Sequence, residues 1–417
     1  MSSQGITRRE FFCRTVAAAA TVAIVPRHVL GGPGQTPPSE TITRGVIGTG
    51  GQGTGAHVTQ NQPGQTPVTL AVCDVDKNHL AGALRKAGPG CEGYTDFRRV
   101  LDRKDIDTIH IATPPHWHAL ICIAAAQAGK DILCEKPMTR FIREGRAVID
   151  AVRRYGRVFQ IGTYGRFRNA QDRNQRMLRK MGMAGLFAKN PPVIVVRENW
   201  KVKEWSGRTD LRPQPVPSEL DYDMWLGPAP VKPYHPHRVH GSFRGYWDYD
   251  GGGLADMGQH YLDPIQYTIG KDDDSPVEIE AHAPWPPHPD AVGLWGWVKM
   301  KYRDGTTLIL DSREWGEPVQ EQTRWPSESD LSAEDRRRLA QLPDPEPLID
   351  FHTAVRTRKQ PGGDAVSSHR SACLLHLANI AIRTGRKLRY DPVAERFIGD
   401  DEANRLVDVP MRSPWHL

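Results

Sequence analysis

Gly48-Thr49-Gly50-Gly51-Gln52-Gly53 spaces three glycines as G-x-G-x-x-G, directly after the apolar pair Val46-Ile47 and ahead of a helical stretch. A strand, turn and helix in that order can bind a pyrophosphate. The first glycine makes the tight turn, the second lets backbone N–H groups approach the phosphates, and the third lets helix and strand pack closely. Gly48, Gly50, Gly51, Gln52 and Gly53 are therefore the expected cradle. Asp74 ends the next apolar run, Val68–Cys73. A carboxylate there can take the adenosine ribose hydroxyls and repel a 2′-phosphate, so NAD is expected over NADP. Thr113-Pro114-Pro115-His116-Trp117-His118 follows the expected strand 106–112, at the edge where open α/β sheets bind ligands. Thr113, Pro114, Trp117 and His118 are expected along the groove, while His116 could equally cap a helix. Cys134-Glu135-Lys136-Pro137 ends a further run, Asp131-Ile132-Leu133, and aims Lys136 at the place where the reactive ring of a dinucleotide would lie.

Asp256 and His260 stand four apart in Asp256-Met257-Gly258-Gln259-His260, so on a helix they share one face. An Asp/His pair beside a lysine can move a hydroxyl proton while a cofactor takes hydride from the carbon. Whether Lys136 or His260 is the base stays open. The preceding Gly251-Gly252-Gly253 is expected to bring backbone close to a ligand. His235, His237 and His240 lie close together in the chain, but fixed metal geometry usually needs a carboxylate or thiolate as well, so no metal is expected. A polar substrate rim is expected instead, from His240, Arg244 and Trp247 with Tyr246 and Asp248, and Tyr164 and Arg166 complete the substrate set. Aromatic rings beside hydrogen-bonding groups suit a sugar.

Positioning these groups requires two architectures. Residues 42–162 alternate strand and helix, which predicts a doubly wound parallel Rossmann sheet. In residues 163–417 the texture changes. A basic helix spans 166–180, a Pro-, Trp- and Tyr-rich loop spans 200–247, and an apolar helix spans 371–383. Val298, Met300 and Tyr302 alternate with polar neighbours and pair with Thr307–Leu310 through an Asp304-Gly305 turn. The fold class is thus α/β, a Rossmann domain followed by an α+β domain with a large, mostly antiparallel open-faced sheet. Trp295 and Trp297 mark either a subunit interface or a face packed under residues 315–346.

Residues 1–36 read as an export signal and linker. Arg8-Arg9 precede the apolar run Ala17–Val25, which is too short to span a bilayer, so the twin-arginine route and a periplasmic or otherwise exported destination are expected. Half of the formal charge of +6 resides in that segment, so nothing demands nucleic acid, and no mature transmembrane segment is expected. Six cysteines without paired spacing support neither a disulfide framework nor a zinc knuckle.

Together these residues resemble the Gfo/Idh/MocA oxidoreductases, named for glucose–fructose oxidoreductase and inositol dehydrogenase, in their exported twin-arginine form. The marks are Val46-Ile47-Gly48-Thr49-Gly50-Gly51, Tyr94-Thr95-Asp96-Phe97-Arg98, Ala112-Thr113-Pro114, Glu135-Lys136-Pro137, Gly251-Gly252-Gly253 and Asp256-x-Gly258-x-His260. The resemblance implies Lys136, Asp256 and His260 as the catalytic set, Glu135 near the nicotinamide ribose, and a homo-oligomer formed through the C-terminal sheet. It implies a small carbohydrate or cyclic polyol as substrate, a secondary hydroxyl, with C3 expected, being oxidised or reduced. The same residues would serve redox-assisted glycoside hydrolysis without net cofactor turnover. A non-catalytic sugar or dinucleotide sensor is the third possibility, against which the intact Lys136, Asp256 and His260 argue.

Overall fold

The computed structural model describes residues 40–62 and 66–417. The expected twin-arginine segment lies outside the described residues. The N-terminal sheet is built by β1 (Thr43–Ile47), β2 (Val68–Cys73), α1 (Lys77–Ala87), β3 (Glu92–Tyr94), α2 (Phe97–Leu101), β4 (Thr108–Ile111), α3 (His118–Gln127), β5 (Asp131–Cys134), α4 (Ile142–Arg154) and β6 (Phe159–Ile161). Its strand order is β3-β2-β1-β4-β5-β6, and every pairing is parallel. Helices cover both faces, so the central strands are buried on both sides, with Arg44 of β1 and His110 of β4 among their buried side chains. The order reverses at β1 and β4, and their carboxyl ends open the crevice used by ligands in such sheets.

The helical stretch expected after the glycine turn is shorter than its sequence suggests. Gly53–His57 forms one wide turn, closed by Val58 N–H donating to Gly53 O at 3.1 Å, and Val58 is already extended. Glycines at 53 and 55 give the segment little intrinsic helicity.

The second half contains α5 (Gly165–Gln171), α6 (Arg173–Met183), β7 (Val193–Val196), α7 (Tyr222–Leu226), α8 (Gly252–Thr268), β8 (Glu278–His282), β9 (Trp297–Lys301), β10 (Thr307–Asp311), α9 (Ala333–Gln341), α10 (Phe351–Thr357), α11 (Ala365–Thr384), β11 (Leu388–Asp391), β12 (Arg396–Phe397) and α12 (Asp401–Asn404). The sheet order is β12-β11-β8-β9-β10-β7, antiparallel except for the β10–β7 pair. Helix α11 starts at an Asp364 cap, stops at left-handed Gly385, and is buried around nearly its whole circumference. Ala365 and Ala372 join the apolar cluster of the first sheet, and Cys373 to Ile382 join that of the second. One apolar helix thereby welds the two halves.

Trp295 is buried and packs edge-on against Trp200. Trp297 stacks on His282, which in turn meets Trp315. Trp295 is thus a packed core residue, while half-buried Trp297 is covered in part by His282. Cys73, Cys122, Cys134 and Cys373 are buried free thiols, and Cys91 is half-buried and free. Among the described residues, no helix is long and apolar enough to cross a membrane.

Candidate active site

A groove of about 310 Å³ opens along the carboxyl edge of the N-terminal sheet. Its floor is the glycine turn. Gly48 takes φ +85°, and a Cβ there would lie 2.5 Å from Thr113 N. A Cβ on Gly53 would lie 1.8 Å from Gly48 O, so the turn closes only with glycine at both positions. Gly48, Gly50, Gly51 and Gln52 line the groove, while Gly53 packs beneath them.

Asp74 lines the groove just past the end of β2. Its Oδ2 accepts from Thr49 N at 2.7 Å and from Thr49 Oγ1 at 3.3 Å, and its Oδ1 accepts from Asp76 N at 2.9 Å, which fixes the carboxylate while Oδ1 can still take another donor. Thr113, Pro114 and Trp117 form a wall. The Thr113 hydroxyl is buried with no hydrogen-bond partner, a group that a bound ligand would satisfy. Trp117 also donates its indole N–H to Met224 O at 3.1 Å, which anchors the 200–247 segment to the wall.

Glu135 and Lys136 leave β5 into the groove. The Glu135 carboxylate accepts from Gln52 Nε2 at 2.8 Å and from His57 Nε2 at 2.9 Å. Burial alone would raise its pKa. The His57 and Gln52 hydrogen bonds and the Lys136 charge override that and bring it down to about 2, so Glu135 is a fixed anion. Lys136 reaches across to α8. Its Nζ lies 3.1 Å from Asp256 Oδ1 and donates to Asp256 O at 3.0 Å. Arg244 Nε approaches the same Oδ1 at 2.8 Å, with its guanidinium over the Trp205 and Phe243 rings. Asp256 thus carries two cations from two segments. Behind it, Asp250 is fully buried with Oδ2 unpartnered, and burial plus the Asp256 charge push its carboxyl up to about 7.

His260 lies one turn beyond Asp256 on α8, and its ring makes no hydrogen bond to the described residues. Burial and then the Lys136 charge lower its pKa, against the opposing pull of Glu135 and Asp256, so the imidazole is neutral at pH 7. The lysine, carboxylate and imidazole drawn from the two halves are within electrostatic reach of one another. His240 and Arg244 line the same groove from the 200–247 segment.

Three expected residues point elsewhere, and two more, Tyr164 and His260, lie beside Glu135 and Asp256 outside the groove lining. His118 is wholly buried, with its ring nitrogens 2.8 Å from Pro137 O and Thr113 O, so it ties two loops together beneath the groove. Arg166 is buried in a double ion pair, 2.6 Å from Asp263 and 3.2 Å from Asp272, and cannot reach a substrate. Trp247 is buried, donates to His288 O at 3.0 Å and lies under Arg383. Tyr164 is 60% exposed and packs against Phe167, outside the groove lining. His116 is buried against Trp225 O at 3.0 Å, and burial drives its pKa down to about 3. The glycines at the start of α8 serve protein packing, with Gly253 against Trp200 O and the capping Gly251 against the Asn379 amide.

Gln259 was not legible in the sequence. Fully buried, it accepts from Met138 N at 2.9 Å and donates to Ser368 O at 3.0 Å and Ser371 Oγ at 2.9 Å. It locks the turn after Lys136 to α8 and α11, and so sets the distance between Lys136 and Asp256. A glutamine between two conspicuous residues carries no signal of its own until the partner backbone is known.

Residues 42–163 match the oxidoreductase-family NAD-binding Rossmann fold, and residues 172–417 match the same family's C-terminal alpha/beta domain. Levoglucosan dehydrogenase of Pseudarthrobacter phenanthrenivorans is 44% identical over 88 residues, 21% of this chain and 22% of that protein. Inositol 2-dehydrogenase of Leifsonia xyli subsp. xyli is 30% identical over 162 residues, 39% of this chain and 46% of that one. The aligned regions thus span less than half of each relative. The WlbA dehydrogenase of Bordetella pertussis, solved with NADH and UDP-GlcNAcA, superposes with a TM-score of 0.55 at 17% identity over 84% of this chain and 98% of that one, a likeness of fold. With both domain matches in sequence order, this chain belongs to the Gfo/Idh/MocA oxidoreductase family.

Proposed function

We propose that the protein is an NAD-dependent oxidoreductase acting on a secondary CH–OH group of a small sugar, glycoside or cyclic polyol. The observation that carries this reading is the meeting of Lys136 and Asp256, 3.1 Å apart, inside the groove of an NAD-binding Rossmann fold. The dinucleotide fits what is present: a turn that only glycine can close, an unpartnered Thr113 hydroxyl, and a ribose-facing Asp74. The Asp74 carboxylate disfavours a 2′-phosphate, which supports NAD. When bound, NAD supplies the hydride acceptor or donor.

The remaining work falls to this chain. Lys136 holds the substrate hydroxyl. Asp256 fixes the ammonium against the counter-pull of Arg244, and the neutral His260 imidazole receives the hydroxyl proton. Glu135, held by His57 and Gln52, gives Lys136 a rigid base at the strand end. Arg244, beside Asp256, provides hydrogen-bonding groups on the substrate side, whereas His240 stands 3.5 Å from Asp76 at the Asp74 end of the groove. The dehydrogenase names of the partial relatives support a polyol or anhydrosugar class. We also place the mature protein in the periplasm by way of the Arg8-Arg9 signal, as a homo-oligomer through the C-terminal sheet, because the sequence carries the former mark and the resemblance implies the latter.

The test is a carbohydrate panel scored by NADH formation and by mass spectrometry and NMR of products. The expected result is a keto product, with C3 of a pyranose the first position to check. A panel spanning pyranoses, glycosides and inositols that gives neither NADH nor a ketone overturns the proposal.

A further inference from the structure

We propose that Asp76, His79 and His240 form a binding site for one divalent transition-metal ion of the zinc class, joining the N-terminus of α1 to the 200–247 segment. The three residues come from two stretches about 160 positions apart, yet their ligand atoms all lie within 4.8 Å of one another. His240 Nε2 stands 3.5 Å from Asp76 Oδ2, and the His79 and His240 rings meet edge-on with centroids 4.7 Å apart. Ligands at about 2.0–2.1 Å around a tetrahedral ion stand about 3.3–3.4 Å apart. One pair is thus already at ligating separation, and the His79 ligand atom lies within 4.8 Å of both partners.

The surroundings are organised as a ligand shell. Asp76 Oδ1 caps α1, accepting from Asn78 N at 2.7 Å and His79 N at 3.3 Å, so Oδ2 is held toward His240. His79 Nδ1 faces Asp74 Oδ1 at 3.7 Å, the carboxylate–imidazole arrangement that orients a ligating histidine. His240 takes the left-handed conformation, φ +54°, which turns its ring back onto α1. The two stretches are also pinned by backbone hydrogen bonds, Lys77 N to Glu219 O and Asp221 N to Val75 O, both 3.0 Å. Two carboxylates around two imidazoles favour a cation, and imidazole with carboxylate suits zinc, nickel or copper. Three protein donors leave a fourth position for water. His235 and His237, adjacent in sequence, do not join: His235 Nδ1 accepts from His237 N at 3.0 Å, and His237 Nδ1 bonds Tyr246 OH at 2.8 Å.

The experiment titrates Zn²⁺ into tag-free, chelator-stripped full-length protein without dinucleotide. Calorimetry and elemental analysis after gel filtration measure binding, and hydrogen exchange follows residues 236–245. One zinc per chain is expected, with those amides protected on addition. His79→Ala and His240→Ala each weaken binding at least about tenfold by removing a ligand. Asp76→Asn does the same while keeping the helix cap, since asparagine caps as well as aspartate. His235→Ala, with unchanged affinity, is the control. Absence of stoichiometric binding, or equal affinity in wild type and in the folded Asp76→Asn and His240→Ala variants, overturns the site. No readout depends on turnover, so failure here leaves the redox proposal standing, and the reverse also holds.

Discussion

Replacing Glu135 with glutamine removes a charge while keeping size and an acceptor oxygen. In the native protein that carboxyl is held at about 2 instead of 4.5, because hydrogen bonds from His57 and Gln52 outweigh its burial. A depression of that size is worth about 3 kcal/mol to the folded state at neutral pH. The sign follows from the direction. The unfolded carboxyl takes up a proton first as the solution is acidified, so the stabilisation is complete above 4.5 and is lost as pH falls toward 2. At pH 3 about 1.4 kcal/mol of it remains. Urea unfolding of wild type and Glu135→Gln, followed by tryptophan fluorescence, is therefore expected to show a stability gap that narrows by roughly 2 kcal/mol between pH 7 and pH 3. A gap of constant size over that range would refute the reasoning, because it would mean that the native state does not hold Glu135 as an anion.

Gly53→Ala places a Cβ 1.8 Å from Gly48 O, so the cradle cannot close, and NAD affinity measured by fluorescence quenching is expected to fall by about tenfold or more. Asp263→Asn breaks the buried pair with Arg166 and is expected to cost about 3–5 kcal/mol, seen as a lower unfolding midpoint with NAD affinity unchanged in the folded fraction. Because burial and the Lys136 charge lower the His260 pKa, the acid limb of kcat/KM is expected below 6.5. His260→Ala removes that limb and slows turnover by about 10²–10⁴-fold.

The Rossmann half was legible because its physics is local. Buried parallel strands leave short apolar runs, and the glycine turn, Asp74 and Asp76 carry chemistry at fixed offsets along one chain segment. The long apolar helix around 371–383 and the hairpin at 297–311 were legible for the same reason. The short strands Glu278–His282 and Leu388–Asp391 were not, since half their side chains are charged or face out, and their pairing depends on partners far along the chain. Arg166 shows the limit on the site. A basic amphipathic stretch reads as solvated, and only the fold brings Asp263 and Asp272 to neutralise it. Trp247 and His118 failed likewise, since an aromatic ring or imidazole beside a motif looks functional until its polar atom is seen committed to a backbone carbonyl. Gln259 and the His79–His240 encounter are tertiary facts with no local trace.

The most direct test is a single turnover with protein in excess over NAD, mixed rapidly with a substrate from the carbohydrate panel and followed at 340 nm in wild type and Lys136→Ala. Wild type is expected to form NADH and the matching ketone. Lys136→Ala is expected to bind NAD normally and to form NADH at least about 10²-fold more slowly. Equal rates in the two proteins would contradict the account, because hydride transfer would then owe nothing to the contact between Lys136 and Asp256.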